Sequence, residues 1–354
     1  MGWPLSFVIY VVKAKLFKFF RLSFAIVFIS LFYVWVVCRA THVELPSPGK
    51  PLLFYSNQTR QDLRLTFRKA IRSAKHSIHI NMYALTDPLL LKWLKLQASH
   101  DVHVTLYFDP SAGHVESSPH FDAIPLKTRG LMHQKILIID DHLVFLGSAN
   151  MTTSSLVLHD NLTLGFHSPL LAQFLKDPLH YAPHLPRQKI PSYPPLPFQI
   201  GSQQAQLWML PDRQGSALAQ VIHEIDSATK TIFISMFTLT HPDLTEALIS
   251  AKKRGVDVRL CSDFYAGRGA SRKSLKRLQE ENIPLLFSQG QQLLHHKWAL
   301  IDDHTLIVGS TNWTKAAFTK NRDCLLFLKD LSSDQQAYLK RLWKVVVSDG
   351  RKNF

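Results

Sequence analysis

Apolar positions along the chain follow three different patterns. From Leu22 to Cys38 they form a run of seventeen residues without a charge. That length is at the short end for a helix crossing a bilayer. From residue 51 onward two periods alternate. Leu63, Phe67, Ile71 and Ala74 recur at three- and four-residue steps, and so do Leu218, Ile222, Ile225 and Ala228. Such stripes predict helices packed on one face. Each stripe leads into a strand-like run, SIHINMYALT from Ser77 and TIFISMFTLT from Thr231. Met82 matches Met236, and Leu85-Thr86 matches Leu239-Thr240. A second helix and strand follow, DVHVTLYFD ending at Asp109 and VDVRLCSDF carrying Asp263 at the matching place. Residues 51–170 and 203–330 therefore read as two copies of one α/β unit with a mostly parallel or mixed sheet. Pro169 to Pro197 breaks the pattern, holding eight of the nineteen prolines. Proline fixes φ and removes a donor, so this stretch predicts an outer linker over 171–202 rather than a buried strand. The second lobe is expected to run over 203–349.

Composition agrees with two packed domains. Hydrophobic residues make up 46% and charged residues 19% of the 354, which excludes a wholly disordered chain. Gly 14 and Pro 19 exclude collagen, and three cysteines exclude a disulfide-stapled mini-domain or a Cys₄ zinc site. The net charge of +15, from 41 Lys+Arg against 26 Asp+Glu, predicts attraction to polyanions such as nucleic acid, anionic lipid headgroups or a phosphate-bearing substrate. Five of these fifteen charges lie in the first forty residues, at Lys13, Lys15, Lys18, Arg21 and Arg39. Four precede the apolar run and one follows it. This asymmetry predicts a basic cytoplasmic segment over 1–21, a transmembrane anchor over 22–38, and a body on the extracytoplasmic side. Tyr33 and Trp35 lie towards the far end of the run, where amphipathic rings favour the interface. The alternative is a cleaved signal peptide and a secreted body, with Cys38 and Ala40 as small residues before the cut. The long basic region and long apolar run favour the anchor. Bulky Val37 argues against lipid modification of Cys38.

The chemistry is concentrated in one pattern that occurs twice. His133 and Lys135 are two apart, Asp140 follows, and then Gly147, Ser148 and Asn150. His295, Lys297, Asp302, Gly309, Ser310 and Asn312 repeat this at a uniform offset of 162 residues. Side chains two apart on a strand share a face. His133 and Lys135 are therefore expected to reach one pocket while Ile136 and Ile138 turn into the core. Packing of the copies about a pseudo-twofold axis would bring two His, two Lys, two Ser and two Asn together. That set suits a phosphate: lysines for the non-bridging oxygens, Asn and Ser as hydrogen-bond donors, imidazoles as nucleophile and acid. A metal would be repelled by the lysine in each motif, and the lysines already supply its charge, so no metal or other cofactor is expected.

Both segments match the HxKx₄Dx₆GSxN signature and so resemble the phospholipase D superfamily, also called the HKD family, over roughly residues 51–330. The resemblance implies two pseudo-symmetric α/β sandwich lobes with one active site between them, so that a monomer suffices. It implies a histidine attacking phosphorus to give a phosphohistidine, with the other protonating the leaving alcohol; water or a second alcohol then releases the product. On this basis His133, Lys135, Asp140, His295, Lys297 and Asp302 are the expected catalytic set, with Ser148, Asn150, Ser310 and Asn312 supporting the phosphate. Asp140-Asp141-His142 and Asp302-Asp303-His304 also look like tight turns, so an architectural role is expected of the two signature aspartates. Family members often carry a carboxylate eleven residues after the signature Asn. Here the second copy has Asp323 and the first has Asn161. With each residue assigned to its own copy, Asp323 would favour a protonated His295 as acid and Asn161 would leave His133 the nucleophile.

Weaker features remain. Arg254, Arg268, Arg272, Lys273, Lys276 and Arg277 form a basic cluster that reads as a lipid-headgroup or nucleic-acid surface, or as a solvated helix face. His296 should point away from His295. Asn57, Asn150, Asn161 and Asn312 lie in sequons that read as incidental, since glycosylation of a signature Asn would block the site. Cys261 and Cys324 are expected to pack as small hydrophobes. The functions left open are phospholipid hydrolysis at a membrane, nucleic-acid phosphodiester cleavage, and phosphatidyl transfer as in cardiolipin synthases. A non-catalytic binding module would be expected to have lost a motif His or Lys, and neither copy has.

Overall fold

The computed structural model describes residues 5–40, 42–177, 194–212, 214–289 and 292–351. The chain divides into two compact units, Met1–Glu44 and Leu45–Phe354. The first is one helix, α1 (Leu5–Ala40). It holds a stretch, Phe19–Arg39, long and apolar enough to cross a membrane. The basic segment and the apolar run thus continue one another without a break, since no Pro or Gly interrupts them after residue 4.

The second unit contains two sheets. In the first lobe the order is β1 (Leu52–Tyr55), α2 (Leu63–Ser73), β2 (Ser77–Met82), α3 (Pro88–Ala98), β3 (His103–Phe108) and β4 (Phe121–Pro125). Then come β5 (Lys135–Ile139), β6 (Leu143–Gly147), α4 (Thr153–Val157), β7 (Thr163–His167) and α5 (Pro169–Leu175). The second lobe runs β8 (Leu196–Ile200), β9 (Gln203–Met209), α6 (Ser216–Ser227), β10 (Thr231–Met236), α7 (Pro242–Lys253), β11 (Asp257–Ser262), α8 (Phe264–Arg268) and α9 (Arg272–Glu280). It continues with β12 (Leu285–Ser288), β13 (Lys297–Ile301), β14 (Thr305–Gly309), α10 (Lys315–Thr319), β15 (Cys324–Leu328), α11 (Ser333–Ser348) and β16 (Gly350–Arg351).

The sheet orders are β1-β7-β6-β5-β2-β3-β4 and β16-β12-β11-β10-β13-β14-β15-β9-β8. Strands β2, β3 and β4 are mutually parallel, and β5, β6, β7 and β1 complete the sheet antiparallel. The equivalents β10 to β15 and β9 repeat this arrangement, with β8 and β16 added at the edges. The repeat read from the sequence is therefore a repeat of topology, in the mixed sheets expected.

One core serves both lobes. Ile136, Ile138, Val144, Leu146, Leu164 and Phe166 of the first sheet pack in one cluster with Trp298, Leu300, Leu306, Val308, Leu326 and Leu328 of the second, covered by α5 and α11. A sheet facing another sheet on one side and helices on the other buries both faces, so β5 and β13 are buried at every position. This confines the polar motif residues to the strand ends. The far face of the second sheet packs against α6, α7 and α9. Aspartates cap the helices that leave the strands: Asp62 begins α2, Asp87 begins α3, and Asp263 begins α8.

The proline-rich stretch departs from expectation at both ends, and residues 178–193 lie outside the described residues. Pro169 opens α5, where the missing N–H costs nothing. Pro197 sits in β8, which pairs on one side only, with β9. An edge strand tolerates proline because one row of its N–H groups has no ladder partner.

Candidate active site

Strands β5 and β13 each begin at the motif lysine, so the preceding histidine sits where the chain enters the sheet. The two lobes meet here. The backbone N–H of His133 donates to Arg322 O at 2.8 Å, and that of His295 donates to Asp160 O at 2.9 Å. Each histidine is thus held by the segment that precedes β7 or β15 of the opposite lobe. The side chains follow. Nδ1 of His133 lies 2.8 Å from Oδ1 of Asp323, and Nδ1 of His295 lies 2.9 Å from Oδ1 of Asn161.

This pairing corrects the expectation that Asp323 serves His295 and Asn161 serves His133. Each residue supports the histidine of the other copy. The pseudo-twofold apposition places the residue eleven after the signature Asn across the lobe boundary, and spacing along one chain cannot tell the two arrangements apart. The other contacts do stay within each copy. Ser148 Oγ donates to Asn161 Oδ1 at 2.9 Å, and Ser310 Oγ donates to Asp323 Oδ1 at 2.6 Å. The Asn161 amide is oriented by donating to Ser155 O at 2.8 Å, which leaves Oδ1 as the acceptor facing His295. The oxygens on both ring partners set the tautomer: Nδ1 carries the hydrogen and Nε2 is left for chemistry. Glycine precedes each serine because a Cβ on Gly147 would fall 2.3 Å from Leu162 O, and one on Gly309 2.2 Å from Cys324 O.

The lysines complete the cluster. Lys135 Nζ donates to His133 O at 2.6 Å, and Lys297 Nζ donates to His295 O at 2.9 Å. Burial pushes Lys135 down to about 7, against the opposing pull of Asp323, Cys324 and Asp109. Burial, and next the charge of Lys135, hold Lys297 well below the usual ammonium range. The imidazoles behave alike. His133 is lowered by burial and by Lys135, with Asp323 opposing; His295 is lowered further by burial, Lys297, Lys135 and His133. Each lobe's charges are felt in the other, so these four groups form one electrostatic cluster. Buried like charges resist protonation together, and an anion among them would relieve that cost.

Asp140 and Asp302 stand outside this cluster, which corrects their place in the expected catalytic set. Each follows the far end of the strand that the motif lysine begins. Asp140 accepts from the backbone N–H groups of Lys75, His76 and Ser77 at 2.8, 2.8 and 3.0 Å. Asp302 accepts from those of Thr229, Lys230 and Thr231 at 2.8, 2.8 and 2.7 Å. Partial burial raises each carboxyl, and the three N–H donors outweigh it, leaving both below the usual range. Asp140-Asp141 and Asp302-Asp303 all have positive φ, as the tight turn requires and Asp tolerates. These aspartates pin the start of β2 and β10 to the β5–β6 and β13–β14 turns.

Other expected residues fall as follows. Asn150 and Asn312 lie just past β6 and β14, each with a buried side-chain oxygen lacking a partner, so neither amide oxygen is tied up by the fold. His296 turns away, its Nε2 2.7 Å from Gln58 Oε1. Cys261 and Cys324 are buried and free.

Two pairs were missed by sequence reasoning. Tyr83 and Phe237 follow β2 and β10, and each ring centroid lies 5.1 Å from the lysine Nζ of its own copy. The same rings sit 5.3 Å from His133 and 5.2 Å from His295. Asp109 and Asp263 accept from the backbone N–H of Met132 at 2.8 Å and Leu294 at 3.2 Å, fixing the residue before each motif histidine. The signal was present in the repeat, where both pairs occupy matching positions. Among the described residues no group of three or more His, Cys, Asp or Glu is placed to hold a metal ion.

Two copies of one mixed sheet, each bringing a His and a Lys to a shared buried cluster, are the arrangement expected of a two-motif protein of the phospholipase D superfamily. The family model described as "Cardiolipin synthase, PLD-like domain" matches residues 67–180 and 221–343, and the chain belongs to that family. It is similar to the mitochondrial cardiolipin hydrolase of Chlamydomonas reinhardtii, 30% identical over 131 residues, covering 36% of this chain and 58% of that protein. It is also similar to the mitochondrial cardiolipin hydrolase of Homo sapiens, 32% identical over 116 residues, covering 32% of this chain and 45% of that one. The chain thus spans about half the length of these curated relatives. Its fold is that of the phosphatidylserine synthase of Haemophilus influenzae Rd KW20, with a TM-score of 0.66 and 14% identity over 87% of this chain and 88% of that one.

Proposed function

We propose that this chain is a phosphodiesterase of the phospholipase D type, acting on phospholipid at a membrane through a phosphohistidine. The observation that carries the reading is the asymmetric support of the two histidines. The Asp323 carboxylate stabilises positive charge on the His133 ring, which appears when Nε2 bonds to phosphorus while Nδ1 keeps its hydrogen. Asn161 offers His295 a neutral oxygen, so His295 in its protonated form gives up its Nε2 proton readily. His133 is therefore the nucleophile and His295 the acid. The sequence expectation, which made the carboxylate's partner the acid, rested on the opposite pairing; the roles proposed here rest on charge stabilisation of the phosphohistidine instead.

In the first step His133 Nε2 attacks phosphorus, the bond to the leaving alcohol breaks, and the Nε2 proton of His295 passes to that oxygen. Lys135 and Lys297 hold the non-bridging oxygens. In the second step His295 takes a proton from water, the resulting hydroxide attacks phosphorus, and the N–P bond breaks. Hydrolysis leaves a phosphate monoester; a lipid alcohol in place of water would give transfer. Residues named for the phosphate are Ser148, Asn150, Ser310 and Asn312, with the serines acting by holding Asn161 and Asp323.

The lipid reading is supported by α1 with its candidate membrane span and by relatives named as cardiolipin hydrolases. In this reading residues 1–21 remain cytoplasmic and the body acts on the opposite side. The test is to offer the detergent-solubilised full chain phosphatidylcholine, cardiolipin and single-stranded DNA, with chelator present. Release of choline or phosphatidic acid is expected. Cutting of DNA alone would move the assignment to a nuclease, and activity abolished by chelator would contradict the metal-free mechanism.

A further inference from the structure

We propose that the α8–α9 face beside the site docks on the phosphates of anionic phospholipid headgroups in the bilayer surface. The inference deepens the lipid reading above and rests on it for the substrate, though not for its test. A cavity of about 530 Å³ is lined by Arg268, Arg272, Lys276 and Gln279, three cations and no carboxylate.

Three neighbouring cations, Arg277, Lys253 and Arg254, are paired with carboxylates. Arg277 binds Glu246 and Glu281 at 3.3 and 2.7 Å, Lys253 approaches Glu281 at 3.5 Å, and Arg254 approaches Asp226 at 3.7 Å. Lys276 has only an exposed Glu280 at 4.0 Å. Among the described residues, neither Arg268 nor Arg272 has a carboxylate within ion-pair distance, and Arg268 instead lies over the Phe264 ring at 4.3 Å. Leu275 and Leu278 fill the inner face of α9, so its cations have only the outer face to occupy.

The position of this face matters as much as its charge. Ser262, the last residue of β11, pairs with Met236, which pairs with Lys297. Two strand spacings put the start of α8 about 10 Å from the Lys297 backbone. The tie is direct: Asp263 Oδ1 accepts from Ala266 N at 2.9 Å to cap α8, and its Oδ2 accepts from Leu294 N, next to His295. The end of the cavity at Arg268 and Arg272 therefore starts from the site's end of the sheet, and Lys276 and Gln279 continue it along α9. Tyr265, beside Arg268, is 64% exposed and presents an amphipathic ring of the kind found at membrane interfaces. Two arginines without a carboxylate partner among the described residues, a lysine with one long exposed contact, and an exposed tyrosine lie on α8 and α9, which start from the site's end of the sheet, and this combination fits a lipid surface better than an isolated anion.

The experiment uses the full chain in neutral detergent micelles doped with a photoactivatable phosphatidylglycerol, or with the phosphatidylcholine analogue as control. Crosslinks are expected within residues 264–280 from phosphatidylglycerol only, reduced by about 0.5 M salt and lost in the Arg268→Glu/Arg272→Glu/Lys276→Glu variant. In parallel, that variant should hydrolyse the soluble diester bis(p-nitrophenyl) phosphate as the unaltered chain does. Its half-saturating lipid on phosphatidylglycerol micelles should rise about tenfold. Crosslinks confined to other segments, or an unchanged lipid dependence, would overturn the proposal. So would a variant that loses only its binding to single-stranded DNA. An unaltered chain inactive on the soluble diester would defeat the proposed enzymatic function instead, while the crosslinks would still decide the docking face.

Discussion

His133 and Asp323 are 190 residues apart in sequence, lie in different lobes, and are joined by a 2.8 Å contact between Nδ1 and Oδ1. Asp323 is fully buried, takes a second bond from Ser310 Oγ, and has its other oxygen buried without a partner. A carboxylate kept this short of donors is well suited to answer charge appearing on the imidazole.

Covalent trapping tests the roles that follow. With labelled phosphodiester and rapid acid-free quenching, His295→Asn should accumulate label on His133, because the leaving group departs slowly but water activation fails as well. His133→Asn should carry none. Label retained by His133→Asn and lost by His295→Asn would reverse the two roles.

The two supporting residues should respond in opposite ways. Asp323→Asn removes the charge behind the nucleophile and should lower kcat by up to about 10⁴-fold, the loss seen when the carboxylate of a Ser-His-Asp triad becomes an amide. Asn161→Asp places a charge behind the acid, raising the pKa of His295 and weakening it as a donor. Its kcat should fall less, and the alkaline limb of its pH–rate profile should move to higher pH. Unshifted profiles in both variants would reduce the crossed pairs to loop fasteners.

Lys135 carries a stability signature. Its pKa is about 7 in the fold against 10.5 for the ordinary side chain. Between these values the unfolded chain binds a proton that the folded chain does not, so stability should rise as pH increases from about 7 towards 10.5. Lys297 acts in the same direction. Thermal unfolding should show this rise, and Lys135→Met should flatten it, raise Tm near pH 7, and abolish turnover. A wild-type Tm independent of pH across that window would contradict the buried cation.

Asp140 separates architecture from chemistry. Asp140→Ala strands three backbone N–H groups and should cost about 2–4 kcal/mol of stability, measured by urea unfolding. At low temperature, where the variant stays folded, kcat/KM should remain within about threefold of the parent, a difference of well under 1 kcal/mol. A hundredfold loss in a fully folded variant would return this residue to the catalytic set.

Much of this protein is legible in its sequence because a duplication writes the same pattern twice. The periodicities at Leu63–Ala74 and Leu218–Ala228 mark the helices α2 and α6, and the spacing of His133 and Lys135 against Ile136 and Ile138 separates site from core. These are local rules, set by side-chain direction along a strand or helix, and they need no partner. What only the tertiary structure decided is which copy serves which. The crossing of Asp323 to His133 and Asn161 to His295 depends on how two sheets share one core, whereas the turn pattern of Asp140 and Asp302 already pointed to their architectural place. Nothing in a linear spacing encodes the direction in which a residue reaches across that boundary.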